Sequence, residues 1–134
     1  FRSKNSHDAN FFKDISNLFF KAKNFKKAGE LALQGIKIAQ RDGLKGFEKL
    51  AKLAIESFTK EEKVHSKKRK SKKKISKDHS KTLWDLAESF HFLSKSPNIK
   101  PKKAKEFLKK AASLFDKAGH KTWAKEVLEE ANNL

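Results

Sequence analysis

Histidine is the residue type of this chain best suited to chemistry, because its imidazole can carry protons or bind a metal near neutral pH. Five histidines occur, at positions 7, 65, 79, 91 and 120. No two of them have the three- or four-residue spacing that places neighbours on one helical face, as a metal site on a single helix requires. His91 lies between Phe90 and Phe92, a setting typical of a structural histidine.

No other motif in the sequence indicates catalysis. Arg2 and His7 have an Arg-x4-His spacing that also occurs in some helical ribonucleases, but they lie at a terminus that we expect to fray. The sequence has no glycine-rich phosphate loop, no nucleophile motif and no paired carboxylates on an apolar face. Without cysteine, disulfides and thiolate metal sites are excluded, which is consistent with a reducing compartment. We therefore expect no catalytic residue, no metal and no cofactor.

The highest charge density is a run of seven cations in eight positions. The run comprises Lys67, Lys68, Arg69, Lys70, Lys72, Lys73 and Lys74. Because such residues cannot enter a core, four interpretations stand: a signal for a nuclear import receptor, a nucleic-acid contact, a contact with anionic lipid, or a solvated linker. Ser71 follows Lys68-Arg69-Lys70, a context that basophilic kinases accept, and phosphorylation there would remove about 1.5–2 charges.

The composition limits the class of protein further. The net charge is +17, and residues 60–81 hold 11 basic residues against 3 acidic ones, which favours polyanionic partners. No run of about 18 apolar residues exists, so we expect no transmembrane segment. Because the chain lacks methionine, we expect Phe1 to begin a fragment or a processed chain.

Apolar residues recur at helical spacing along nearly the whole chain, without a strand-like alternation. We predict an all-α fold of six antiparallel helices. Their expected ranges are 8–23, 25–41, 44–60, from 80 or 81 to just before Pro97, from Pro101 to just before Gly119, and 121–134. In the first helix, Phe11, Ile15 and Leu18 are expected to face the core.

The second half of the chain aligns with the first at an offset of 76 residues. Lys26-Lys27-Ala28 falls on Lys102-Lys103-Ala104, Gly43 on Gly119, and Phe47 on Trp123. This predicts a three-helix unit at residues 1–60, a basic linker at 61–80 and a second unit at 81–134, either separate or sharing one core. The aligned Phe47 and Trp123 are expected to be buried, whereas Trp84 and Phe92 are expected to lean outward and mark a groove for a partner.

Part of the sequence resembles a known helical repeat. The segment Lys21-Ala22-Lys23-Asn24-Phe25-Lys26-Lys27-Ala28 resembles the turn of a tetratricopeptide repeat, and the 33 residues from Phe11 to Leu44 suit its period. Pro101 to Leu134 resembles later helices of the same family. A duplicated three-helix unit is equally similar to tandem microtubule-interacting-and-transport domains. Both resemblances imply a non-enzymatic module that binds peptides in grooves between helices.

The sequence therefore predicts a non-catalytic interaction module or adaptor in a larger, nuclear assembly, with a partner segment held between helices. The alternative is sequence-nonspecific binding of RNA or DNA through residues 60–81, assisted by Lys21, Lys23, Lys26 and Lys27. One structural feature separates the two hypotheses. Nucleic-acid binding is favoured if the basic residues outside the run cluster on one face.

Overall fold

The computed structural model describes residues 8–41, 46–68 and 75–134, and within these ranges it contains six helices and no strand. The predicted all-α class is therefore confirmed. The helices are α1 (Ala9–Lys21), α2 (Phe25–Arg41), α3 (Phe47–Lys68), α4 (Lys77–Ser94), α5 (Pro101–Lys117) and α6 (Lys121–Asn132).

The helices form an open two-layer stack. Each helix packs against the next one in the chain, and α1 also contacts α3 while α2 contacts α4. In the described part of the chain, side chains also join α4 to α6, where Nε2 of His91 lies 3.1 Å from a carboxylate oxygen of Glu130. The odd-numbered helices therefore form one layer and the even-numbered helices the other, as in a short solenoid whose two ends do not meet.

Local chemistry fixes the helix ends. The turn after α1 places Lys23 in the left-handed region (φ 63°), with the Lys23 amide donating to the Phe20 carbonyl and the Asn24 amide donating to the Phe19 carbonyl, both at 2.9 Å. The same pair of hydrogen bonds ends α5 around Gly119 (φ 94°), where glycine accepts this conformation without strain. Gly119 thus ends α5 as predicted, whereas Gly43 lies outside the described residues.

The starts of three helices also follow from the sequence. The side chain of Asp8 accepts a hydrogen bond from the Phe11 amide (2.9 Å), and that of Ser76 accepts one from the His79 amide (3.0 Å). These caps satisfy amides that have no partner within the helix. Pro101 occupies the first position of α5, as predicted, where its missing amide costs nothing.

The core consists of two clusters that meet at α4. The first combines α2 and α3 around the fully buried Phe58 and includes Leu86 and Leu93 of α4. The second combines α5 and α6 around Phe115 and includes Ala87 of α4. Phe90 and other partly buried residues pack against both clusters. Apolar contacts therefore run without interruption from α2 to α6.

Two helix boundaries differ from the prediction. Helix α3 continues to Lys68, and α4 begins at Lys77, so residues 61–68 and 77–80 are helical where a linker was expected. The reason is that lysine and glutamate are good helix formers, and a solvent-facing helix needs few apolar residues to continue.

Two residues expected to face the core are exposed. Leu18 is 65% exposed, and Ser16 takes the inward position, donating a hydrogen bond to the Ala28 carbonyl at 2.6 Å. Trp123 is 38% exposed, although its aligned counterpart Phe47 is buried as predicted. Both exposed residues lie on the outermost helices, α1 and α6, which have no further helix beyond them to cover a second face.

A close approach between α2 and α3 generates a stability prediction. A methyl group at Gly29 would lie 2.6 Å from the ring of Phe58, which is fully buried and has no free space to move into. We expect Gly29→Ala to lower the free energy of unfolding by about 1–3 kcal/mol, despite the better helix propensity of alanine. Urea denaturation measures this change, with the exposed Gln34→Ala on the same helix as control. A Gly29→Ala variant as stable as the parent would contradict the close packing.

Candidate functional site

The structure brings together two histidines that are far apart in the sequence. The rings of His65 on α3 and His79 on α4 stack with centroids 5.2 Å apart and an interplanar angle of 15°. Nε2 of His79 lies 2.9 Å from a carboxylate oxygen of Glu62. Nε2 of His65 lies 3.2 Å from Glu61 but is not aligned for a hydrogen bond. This cluster joins the end of α3 to the start of α4.

The ionisation of Glu62 depends on this junction. Burial alone would raise the pKa of Glu62, but hydrogen bonds from Ser66 and His79, together with the charge of Lys117, outweigh burial and hold the pKa below its usual value. The carboxylate is thus kept ionised and stabilises the α3–α4 contact. The polar side chains of this cluster are therefore explained by their role in joining α3 to α4. Within the described ranges, no group of three or more His, Asp or Glu side chains could hold a metal ion.

A concave surface lies between α2 and α4, with a volume of about 720 Å³. We call it the α2–α4 groove. It is lined by Glu30, Leu33, Gln34 and Lys37 of α2, by Lys77, Ser80, Lys81, Trp84, Asp85 and Glu88 of α4, and by His120. On each helix these residues recur three or four positions apart, so each helix presents one face to the groove.

Trp84 forms the aromatic part of the groove. Its ring is half-buried. The ring centroid lies 4.4 Å from that of His120 and 4.6 Å from that of Phe115, and both pairs are T-shaped. The neighbouring Ser80 donates a hydrogen bond to the Ala118 carbonyl at 2.8 Å, which fastens α4 to the end of α5. The indole is therefore held in a fixed orientation while part of it stays accessible.

Two carboxylates in the groove are unusually costly to ionise. Burial raises the pKa of Asp85, although Lys81 donates a hydrogen bond to its carboxylate at 2.8 Å. Burial also raises the pKa of Glu88, and the positive charge of Lys37 offsets only part of this increase. Among the described residues, Glu88 has no hydrogen-bond or ion-pair partner. A partly desolvated carboxylate without a partner is a position where a cation from another molecule would be favoured.

The groove differs in charge from the rest of the molecule. Its lining holds three acidic residues (Glu30, Asp85, Glu88) and three lysines, whereas the whole chain carries +17. A basic partner segment is therefore not repelled here as it would be elsewhere on the surface.

The structure separates the two aromatic residues that were expected to mark one groove. Trp84 lines the α2–α4 groove, whereas Phe92 is absent from its lining and contacts Phe47 of α3 edge-on, with centroids 6.3 Å apart. The two residues are eight positions apart along α4, a rise of about 12 Å. Sequence reasoning missed Asp85 and Glu88, because helical periodicity assigns polar residues to solvent by default.

Most of the basic run lies outside the described residues. Lys67 is exposed near the end of α3 and Lys68 is its last residue, while Arg69, Lys70, Ser71, Lys72, Lys73 and Lys74 are not among the described positions. The other lysines considered for nucleic-acid binding, Lys21, Lys23, Lys26 and Lys27, are exposed around the α1–α2 turn.

A second cavity of about 680 Å³ lies where α1 and α3 begin, beside the α4–α5 turn. Its acidic groups are already used within the chain. Asp8 caps α1, and Glu48 pairs with Lys52 at 3.0 Å and accepts a hydrogen bond from Ser96. For this reason the α2–α4 groove is the better candidate site.

No protein-family model, curated protein or solved structure matches this chain. The resemblance to tetratricopeptide repeats and to microtubule-interacting-and-transport domains therefore stays a prediction. In the described helices, none is long and apolar enough to cross a membrane.

The lowered pKa of Glu62 predicts a pH-dependent stability. Because the folded pKa lies below the unfolded one, this carboxylate stabilises the fold above its unfolded pKa of about 4.3, and the stabilisation is lost as the pH falls through the folded pKa. We expect Glu62→Gln, which resembles protonated glutamate, to lower the free energy of unfolding by about 1 kcal/mol at pH 7. Denaturation at several pH values should show this difference shrinking as the pH falls below the unfolded pKa of about 4.3. A difference in stability between the parent and Glu62→Gln that does not vary with pH would contradict the lowered pKa of Glu62.

The raised pKa of Glu88 predicts the opposite behaviour. Its folded pKa exceeds the unfolded one, so its contribution is most favourable below the unfolded pKa and is lost as the pH rises through the folded pKa. Relative to the parent, Glu88→Gln should therefore be unchanged at low pH and more stable at pH 7, by a few tenths of a kcal/mol because the groove is open to solvent. The same denaturation series measures both variants. A Glu88→Gln variant that is less stable than the parent at pH 7 would contradict the raised pKa of Glu88.

Proposed function

We propose that this chain is a non-catalytic helical interaction module that holds a segment of a partner protein in the α2–α4 groove, as part of a larger assembly. The observation that carries the proposal is the half-buried Trp84 beside the unpartnered carboxylate of Glu88. Tryptophans held in place at the centre of a concave surface are the residues that most often dominate binding energy at protein interfaces.

The size of the groove supports a peptide segment as the ligand. Lys77 to Glu88 span about 16 Å along α4, which matches about five residues of extended chain. The groove has a volume of about 720 Å³ and is open to solvent, so a segment could lie along it with several side chains in contact. The expected partner segment carries an apolar or aromatic side chain for Trp84 and, within reach of Glu88, a lysine or arginine.

The basic run supports a nuclear location in this proposal. Lys67 to Lys74 would be read by an acidic import receptor as an extended segment, and phosphorylation of Ser71 would weaken that contact by removing about 1.5–2 charges. This role needs no contribution from the groove.

A second candidate function is sequence-nonspecific nucleic-acid binding. It is favoured by a particular observation: outside the basic run, nine exposed lysines lie on the two helices α3 and α5. The groove has no part in this function, since its three lysines are balanced by three acidic residues.

The groove proposal can be tested with a photo-crosslinking residue placed at Gln34, which lines the groove, and separately at Gln40 on the same helix, which is exposed outside it. In cells that express the full chain, we expect a distinct protein to be captured from position 34 and not from position 40. Equal capture from both positions would contradict the proposal.

Binding of the purified partner then tests the chemistry of the groove. We expect Glu88→Lys to weaken binding of the partner at least about 10-fold, because it replaces an attractive charge by a repulsive one at a partly buried position. Glu126→Lys makes the same charge change on the exposed surface of α6 and should leave the dissociation constant unchanged. Calorimetry or fluorescence titration of the two variants gives the comparison. Equal losses in both would show that only net charge matters.

A further inference from the structure

Helix α3 carries a row of exposed lysines along one side. The row comprises Lys49, Lys52, Lys60, Lys63 and Lys67, with Glu56 as the acidic residue among them. Their spacing of three, four and eight positions keeps all of them on the side of α3 opposite Leu50, Ala54 and Phe58, which are fully buried. From Lys49 to Lys67 the row is about 27 Å long.

Helix α5 carries a second row of the same kind. Its exposed lysines are Lys102, Lys103, Lys109, Lys110 and Lys117, accompanied by Glu106 and Asp116. They lie opposite the buried Leu108, Ala111 and Phe115 and extend over about 22 Å.

Three observations indicate that α3 and α5 lie next to each other in one layer. At one end, Ser96 in the turn before α5 donates a hydrogen bond to Glu48 near the start of α3. At the other end, the charge of Lys117 on α5 lowers the pKa of Glu62 on α3. Between these ends, Phe107 and Leu114 of α5 pack against the first core cluster. Helices α3 and α5 therefore run parallel in one layer, and their exposed sides form one surface, the α3–α5 face.

The α3–α5 face concentrates positive charge on ordered helices. In the described part of the chain it presents ten exposed lysines against three exposed acidic residues. Only some of these lysines are engaged within the chain: Lys52 pairs with Glu48, Lys103 with Glu106, and Lys60 and Lys110 lie over phenylalanine rings. Among the described residues, no ion-pair partner is present for Lys49, Lys63, Lys67, Lys102 or Lys109, so these ammonium groups can neutralise an external polyanion.

The exposed apolar residues indicate which class of polyanion the α3–α5 face can bind. The large hydrophobic residues that are exposed in the described ranges are Leu18, Val64, Trp123, Leu128 and Leu134. Of these, only Val64 belongs to α3 or α5, so the face has no apolar stripe with which to enter a lipid surface. It also has no exposed aromatic ring for stacking on unpaired bases, which single-strand binders require.

We propose that the α3–α5 face binds the sugar–phosphate backbone of double-stranded nucleic acid without reading its sequence. A row of 27 Å corresponds to about eight base pairs at 3.4 Å each. Two parallel rows of lysines then contact phosphates, which are the same at every base pair and carry no sequence information. This inference shares its ligand class with the second candidate function but assigns the site to folded helices, and it does not depend on the α2–α4 groove.

The test is fluorescence anisotropy of the full chain with a labelled 20-base-pair duplex, as DNA and as RNA, beside the corresponding single strand. Two variants probe the face: Lys102→Gln/Lys103→Gln/Lys109→Gln on α5 and Lys49→Gln/Lys63→Gln/Lys67→Gln on α3. Two controls remove the same charge elsewhere: Lys26→Gln/Lys121→Gln/Lys125→Gln in the other layer, and Lys70→Gln/Lys72→Gln/Lys73→Gln in the basic run. All substituted helix positions are exposed, and circular dichroism verifies that each variant is folded.

We expect each face variant to bind duplex about 10- to 100-fold more weakly at 100 mM salt and to reduce the slope of log K against log salt by about 2–3, as for three lost phosphate contacts. The control in the other layer should retain nearly full affinity. The proposal is overturned if that control loses as much as the face variants, if only the basic-run variant loses affinity, if the single strand binds more tightly than the duplex, or if anionic vesicles bind in place of nucleic acid. Glu88→Lys should leave duplex binding intact, so failure here is separable from failure of the groove.

Discussion

The structure depends on the packing of α4 against helices on both of its sides. In the described part of the chain, α4 is the one helix that supplies buried apolar residues to both core clusters, Leu86 and Leu93 to the first and Ala87 to the second. Burial of a leucine side chain contributes about 1.5–3 kcal/mol. Because the stack is open, no contact between its two ends could compensate for a loss at α4. The relative position of the two halves, and hence both proposed surfaces, is set by this helix.

Helix α4 also buries more polar groups than a helix on the surface of a stack would. Ser89 satisfies its hydroxyl by donating to the Asp85 carbonyl at 2.8 Å, and His79 is satisfied by Glu62. Asp85 is held by Lys81, whose pKa is raised by that hydrogen bond. The bonds that α4 makes to other elements, between His79 and Glu62 and from Ser80 to the Ala118 carbonyl, fix its rotation about its axis, because a turn of the helix would leave these groups unpaired. The orientation of Trp84 and Glu88 toward the groove follows from this fixed rotation.

Much of the fold could be predicted from the sequence because helical periodicity, proline and glycine act locally. The position of Pro101 at the start of α5 and of Gly119 at its end depends only on backbone chemistry within a few residues. The extension of α3 to Lys68 could not be predicted from periodicity, since a lysine-rich surface helix carries almost no apolar signal. The exposure of Leu18 and Trp123 depends on which helices lie at the ends of the stack, and the spacing of residues along one helix does not reveal this.

Only part of the candidate site could be predicted from the sequence. Trp84 could be selected because a large aromatic residue beside the leucine stripe of α4 is conspicuous in the sequence. Glu88 and Asp85 could not, because their importance arises from burial by α2, which is about 50 residues away in the chain. The stacking of His65 on His79 is a tertiary feature of the same kind. Neither histidine has a partner at helical spacing, and the two meet only because α3 and α4 pack against each other.

The distribution of charge over the two layers gives the molecule two unlike surfaces. The α2–α4 groove lies in the even-numbered layer and balances its acidic and basic residues, whereas the α3–α5 face lies in the odd-numbered layer and is strongly basic. A partner with a cationic segment is favoured at the groove and disfavoured at the face, and a polyanion has the reverse preference. The two surfaces share α4 as their common support but no lining residue, so neither ligand would obstruct the other. An arrangement of this kind suits a small adaptor that holds a protein on one side and a phosphate backbone on the other, with the rigid packing of α4 setting the distance between them.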